Sequence, residues 1–250
     1  MMMMSSVVTS VRDLPEGWCE YPYTSTGYRV NYSVRQATRS ILSANHNEFW
    51  MIWTDIAPAC LFLGLLFVNV SSEHFAMQSP FYQCLIVGVF LGTITSRICS
   101  SVYHVYNCVS LRANQRLINV DMLGICFMAF GSPWVFARAN GISDPADAAF
   151  VAYVAILMLA FACCVVAIAT QSTMRQPLLV TLAIVGNYAS LGSAAMLGFV
   201  VGYTVFFIGR FPECVLSPGA ADGRIYNSHV LWHIMASLSQ LRYVMKTFGV

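Results

Sequence analysis

His229 and His233 lie four residues apart, so on a helix they share one face about a turn apart. Two imidazoles at that spacing suit one zinc ion. Two other ionisable residues mark apolar segments elsewhere: His104 ends one and Asp121 begins the next. Together His104, Asp121, His229 and His233 would complete a tetrahedral shell. Four protein ligands make a closed, structural site, whereas three and an open position make a catalytic one. In the second case zinc lowers the pKa of water toward about 7 and makes it a nucleophile. Ser100 precedes His104 by four residues and shares its helical face. It is placed to hold that water or a substrate carbonyl.

These residues have to be carried by membrane helices. Hydrophobic residues make up 58% of the 250-residue chain and charged residues 10%, against about 25% charged in soluble domains. So little charge cannot cover a water-facing surface, and the length suits one bundle of spanning helices. The formal net charge is only +2 and no basic cluster points to nucleic acid. An Asp in a span costs roughly 2.5–3.5 kcal/mol by insertion scales, so such groups pair, bind metal or line a cavity. The competing reading is interior polar groups satisfied by neighbouring helices. Hydrogen bonds between membrane helices average about 0.6 kcal/mol, whereas structural zinc contributes about 10–16 kcal/mol in small peptides.

The apolar segments run approximately over 50–70, 81–105, 117–138 and 148–170, and a last one runs from about Asn227 to the C-terminus. The run from Pro177 to Phe211 would make about 50 Å of helix, too long for one crossing of about 30 Å and short for two. Gly186-Asn187 and Gly192-Ser193 offer places to turn. Two short or tilted crossings put the Lys/Arg-bearing loops in the cytosol with the N-terminus. Two crossings also bring His229 and His233 to the membrane face of His104 and Asp121; one would leave them across the bilayer. The expectation is therefore an all-α, polytopic bundle of seven transmembrane helices in plasma membrane or endomembrane. Residues 1–45 form a cytosolic N-terminal segment, and residues 46–250 form the bundle.

Other features carry less. The nine Cys include no CxxC pair and lie mostly in apolar runs, where they act as small hydrophobes. Glu48 and Asp55 are seven residues apart, on one face of the first span. They either line a cytosolic vestibule or merely accompany interfacial anchoring by Trp50 and Trp53. Gly131-Ser132-Pro133-Trp134 is placed to kink the third span. Asn69-Val70-Ser71 and Asn31-Tyr32-Ser33 match glycosylation acceptors, but one is too near the membrane and the other is assigned to the cytosol. Neither GxSG nor HExxH occurs.

Several blocks in order resemble one family. His46-Asn47-Glu48-Phe49-Trp50-Met51-Ile52-Trp53-Thr54-Asp55 is similar to an NE..NIWTH signature, and Ser100 to His104 to SxxxH. Val120-Asp121-Met122-Leu123-Gly124-Ile125 with Gly131-Ser132 is similar to LDYxGI…GS. Pro212-Glu213, Pro218-Gly219, Asp222 and Ser228 to His233 are similar to PE…PG.FD…SHQ.WH. Across roughly residues 27–240 the chain resembles the progestin and adipoQ receptor family, relatives of the bacterial hemolysin III proteins. Gly27-Tyr28-Arg29 resembles the lead-in of the progestin-receptor branch.

The resemblance implies seven spans, a cytosolic N-terminus and one zinc held by His104, Asp121, His229 and His233. It also implies either hydrolysis of a lipid amide such as ceramide or a receptor role. As a hydrolase, the protein would use Ser100 and Asp121 in catalysis. As a receptor, it would keep zinc structural and take a steroid or hormone ligand, or a signal from an extracellular or cytosolic partner. The sequence departs from the pattern at Asp55, where the signature has His, in the loop Glu213–Asn227, and in the short run Pro177–Phe211.

Overall fold

The structure is a computed structural model that describes residues 7–8, 11–18, 24–128, 131–172, 174, 178, 201–202, 204 and 227–248. Most of the run 177–211, the Pro212 to Asp222 blocks, Cys19 and Cys214 lie outside the described residues.

Two short strands, β1 (Val7–Val8) and β2 (Tyr28–Arg29), pair antiparallel near the N-terminus. The helices are α1 (Val34–Ser40), α2 (Phe49–Val70), α3 (Glu73–Ala76), α4 (Pro80–Tyr106), α5 (Leu111–Met128), α6 (Ser132–Ala139), α7 (Ala148–Ala169) and α8 (Ser228–Phe248). Among the described residues, four segments are long and apolar enough to cross a membrane: α2, α4, α5 with α6, and α7. The 22 residues of α2 span about 33 Å at roughly 1.5 Å each, enough for the hydrocarbon core. The 21-residue α8 has the length but less apolarity, since it carries His229, His233, Ser237, Ser239, Gln240, Arg242 and Lys246. The protein is a polytopic helical membrane protein.

Local chemistry sets the helix ends. Ser33 and Gln36 form a reciprocal capping box at α1. The Ser110 hydroxyl accepts from the Ala113 N–H at 3.1 Å, so α5 starts six residues before the expected 117. Its early turns keep Arg112 and Arg116 exposed rather than in a loop. Asp147 caps α7 by accepting from the Ala149 and Phe150 amides. Asn227 caps α8: its side chain accepts from the His229 N–H at 3.0 Å and its carbonyl from the Leu231 N–H at 2.9 Å. α5 is described to Met128 and α6 from Ser132, with Pro133 in its first turn, where no N–H is needed; the expected kink falls partly on residues 129–130, outside the described residues.

The chain divides into two compact units. The first holds residues 1–56, 100–121 and 198–238; the second holds 57–99, 122–197 and 239–250. The second is packed mainly by apolar side chains. Phe62, Phe90, Trp134, Val244 and Phe248 are buried together, with the Phe90 and Phe248 rings stacked at 5.4 Å. Cys126, Leu157, Cys164 and Ile168 make another cluster, and Ala137, Ile142 and Phe150 a third. Gly124 lets α5 approach α4 closely: a Cβ there would meet the Cys99 Cβ at 2.8 Å and the Ser96 carbonyl at 3.1 Å. Among the described residues one charge is buried here, Arg97, whose Nη2 donates to Gln240 Oε1 at 3.0 Å.

The first unit is polar inside. Gly27 has φ +82°, and its carbonyl accepts from the Asn47 N–H at 3.1 Å. A Cβ at Gly27 would lie 3.1 Å from that same nitrogen, so both the φ and the contact call for glycine. The next residue but one, Arg29, is buried, and its guanidinium serves the C-terminal end of α4. It donates to the carbonyls of His104 and Val105 and to the side chains of Asn107 and Ser40. A cation on the unsatisfied last carbonyls of a helix is favoured by both hydrogen bonding and the helix dipole. Tyr32 and Ala37 pack on Cys108, while the Tyr32 N–H donates to the Cys108 carbonyl at 3.0 Å.

Candidate metal centre

Four elements of the first unit deliver the ionisable side chains, with Asp121 standing in α5. Glu48 is the residue before α2, and its carbonyl accepts the Ile52 N–H at 3.0 Å in the manner of an N-cap. The last turns of α4 supply Ser100 and His104, and the first turns of α8 supply His229 and His233. The end of α4 and the start of α8 can meet only if the chain between them crosses the membrane an even number of times.

The three imidazoles come together. Each of His104, His229 and His233 offers a ligand atom within 4.8 Å of the other two. Their ring centroids are 5.3 Å (104–229), 5.2 Å (104–233) and 4.7 Å (229–233) apart. His104 is fully buried and His233 nearly so, while His229 is partly exposed. Nitrogens bound to one tetrahedral zinc at about 2.0–2.1 Å stand roughly 3.4 Å apart, so small side-chain rotations would close the trio onto an ion.

The hydrogen bonds fix which nitrogen is available. His104 Nδ1 lies 2.7 Å from Glu48 Oε2, and a neutral ring donates there. That leaves the His104 Nε2 lone pair free, and this buried atom has no hydrogen-bond partner. A buried acceptor without a donor is costly. Facing two other imidazoles, it fits a metal-ion ligand. Glu48 is anchored in turn by Asn107 Nδ2, which donates to Oε1 at 2.8 Å. Burial alone would raise the Glu48 carboxyl, but the hydrogen bonds from His104 and Asn107 and the charge of Arg29 hold it down. Near His233, Nδ1 is 3.2 Å from Asp55 Oδ2 and 3.3 Å from Thr54 Oγ1. The Thr54 hydroxyl hydrogen is already directed to the Trp50 carbonyl at 2.8 Å or that of Met51 at 3.0 Å. Its oxygen is therefore an acceptor for His233.

Asp121 is outside the trio and half-buried. Its carboxylate takes a hydrogen bond from Ser100 and is within electrostatic reach of His104 and His233. The residues selected from sequence are thus gathered: three imidazoles as a group, with Asp121 and Ser100 linked beside them.

Glu48 and Asp55 belong to the same assembly, which the choice between a vestibule and interfacial anchoring did not anticipate. Both are buried, at 4% and 0% exposure. The available signal was their i, i+7 spacing, joined to the rule that a ligating His gives its other nitrogen to a carboxylate. Trp53 does not simply face the interface; its Nε1 donates to the Ile41 carbonyl at 2.9 Å. Cys60, Cys84, Cys99, Cys108, Cys126, Cys163 and Cys164 are free thiols and none joins the trio. Asn69, in one of the two acceptor motifs, is 1% exposed and closed to glycosylation in the folded protein.

Comparison with known proteins agrees with this architecture. A family model described as haemolysin-III related matches residues 43–243. The Heptahelical transmembrane protein 1 of Arabidopsis thaliana is 26% identical over 272 aligned positions, which cover 92% of this chain and 77% of that protein.

Proposed function

The chain belongs to the haemolysin-III related family, and from that premise we propose a zinc-dependent hydrolase of membrane lipid amides, ceramide-like in chemistry. The observation that carries the reading is a trio of imidazoles with a carboxylate–hydroxyl pair beside it and, among the described residues, no fourth ligand within it. Three protein ligands and an open position are the pattern of catalytic zinc. His104, His229 and His233 would hold the ion, which when bound would supply Lewis acidity toward an amide carbonyl.

The remaining steps fall to this chain's own groups. Asp121 accepts a proton from the attacking water and returns it to the departing amine. The Ser100 hydroxyl donates to the Asp121 carboxylate and fixes it for that transfer. A bilayer lipid would enter sideways, its chains remaining in hydrocarbon.

The test is metal content followed by turnover. Purified protein should carry about one zinc per chain, and His233→Ala should lose it. With ceramide, the native protein should release fatty acid and His104→Ala should not. Turnover surviving His104→Ala would overturn the mechanism. Saturable steroid binding without turnover would favour a receptor with structural zinc.

A further inference from the structure

We propose that Glu48 and Asp55 are a matched pair of positioning carboxylates, each fixing one histidine of the trio through Nδ1 so that both rings present Nε2. The inference rests on the metal reading above and adds what orients the ligands.

Three observations converge on it. Glu48 Oε2 sits 2.7 Å from His104 Nδ1, and Asp55 Oδ2 sits 3.2 Å from His233 Nδ1. Both carboxylates come from one stretch, seven residues apart, so a single face at the start of α2 serves two rings from two other helices. Both are almost wholly buried, where a carboxylate stays only if it is engaged. Thr54 adds a second acceptor at His233 Nδ1, 3.3 Å away.

The chemistry follows from the inventory of a neutral imidazole, in which one nitrogen donates and the other accepts. At His104 the carboxylate takes the Nδ1 proton and the Nε2 lone pair is left free; at His233 the Thr54 hydroxyl oxygen takes the Nδ1 hydrogen bond, and the Asp55 carboxylate stands 3.2 Å away as the ion-pair partner that favours a proton on that nitrogen. Carboxylate partners also raise ligand basicity, and losing one typically costs about 10–100-fold in metal affinity.

The experiment uses full-length protein in detergent, stripped by chelator and reloaded with zinc or cobalt(II). Zinc affinity is read by competition with a chromophoric chelator, and ligand geometry by the visible bands of the cobalt form. Glu48→Gln and Asp55→Asn should each weaken zinc by about 10–100-fold and shift the cobalt bands. Glu48→Asp and Asp55→Glu, which retain the carboxylate, should recover part of both. If Asp55→Asn fails to fold, Asp55→Ser, which also removes the carboxylate, keeps the test alive and should also bind weakly. Wild-type affinity and unchanged bands in the carboxylate-free variants, with metal lost in His104→Ala, would overturn the pairing while leaving the metal site intact. Native protein that takes up neither ion would instead overturn the metal reading itself, and the pairing with it.

Discussion

The two units bury different things. In the second, the interior is chiefly Phe62, Phe90, Trp134, Phe248 and their aliphatic neighbours, with Arg97 held by Gln240. In the first, the buried set includes Arg29, Ser40, His46, Asn47, Glu48, Asp55, His104, Asn107 and His233. Helices α2, α4, α5 and α8 run through both units, so a single helix changes its mode of cohesion along its length. Surrounded by hydrocarbon, the apolar parts gain little from burial as such and depend on close packing. The polar parts depend on each group finding a particular partner. Packing should therefore degrade gradually under substitution, and the polar assembly should fail at single residues.

The sharpest break in that contrast is removal of an imidazole. His104→Ala should cut bound zinc from about one per chain to nearly none by elemental analysis, while leaving the aromatic cluster of the second unit intact. The reciprocal change is Phe90→Ala, which should retain zinc yet lower stability by about 3 kcal/mol. That figure is the low end for large-to-small core changes, since lipid already supplies an apolar surrounding. Thermal unfolding of the detergent-solubilised variant checks it. Gly124→Ala should cost about 2 kcal/mol by overpacking against Cys99 and Ser96, again with zinc kept, and appears as a lower aggregation temperature.

The smallest effect concerns pH. Burial, with help from Arg29, lowers His46 from its ordinary 6.5 to about 4, and its Nε2–H donates to the Ser40 carbonyl at 2.9 Å. A lowered folded-state pKa means stability is present above about 6.5 and is lost as pH falls toward 4. Roughly 1–2 kcal/mol should disappear between pH 7 and 5. Melting curves of His46→Asn should lack that portion of the acid sensitivity.

The two units also differed in how far they could be read from sequence. Apolar length located α2, α4 and α7 to within a residue at each end, because spanning a bilayer is a requirement on composition alone. The start of α5 departs from the expected 117 because exposed arginines sit comfortably on a helix capped by Ser110. In the polar unit the histidines were legible through i, i+4 spacing and membrane-face parity. Their partners were not. Nothing in the order Glu48-x6-Asp55 says which ring each carboxylate meets, since that depends on the rotation of α2 against two helices far away in sequence. Arg97 escaped for the same reason, because its partner Gln240 is 143 positions away.

Arg29 grips the peptide oxygens of His104 and Val105 from a stretch that contributes no imidazole of its own. A shortened polypeptide beginning after Val30 would keep every proposed ligand and both carboxylates, yet the last turn of α4 would fray where His104 sits. Amino-terminal trimming, alternative start codons and bulky fusions close to that arginine would thus act on metal retention from a distance, with the coding of the centre itself untouched.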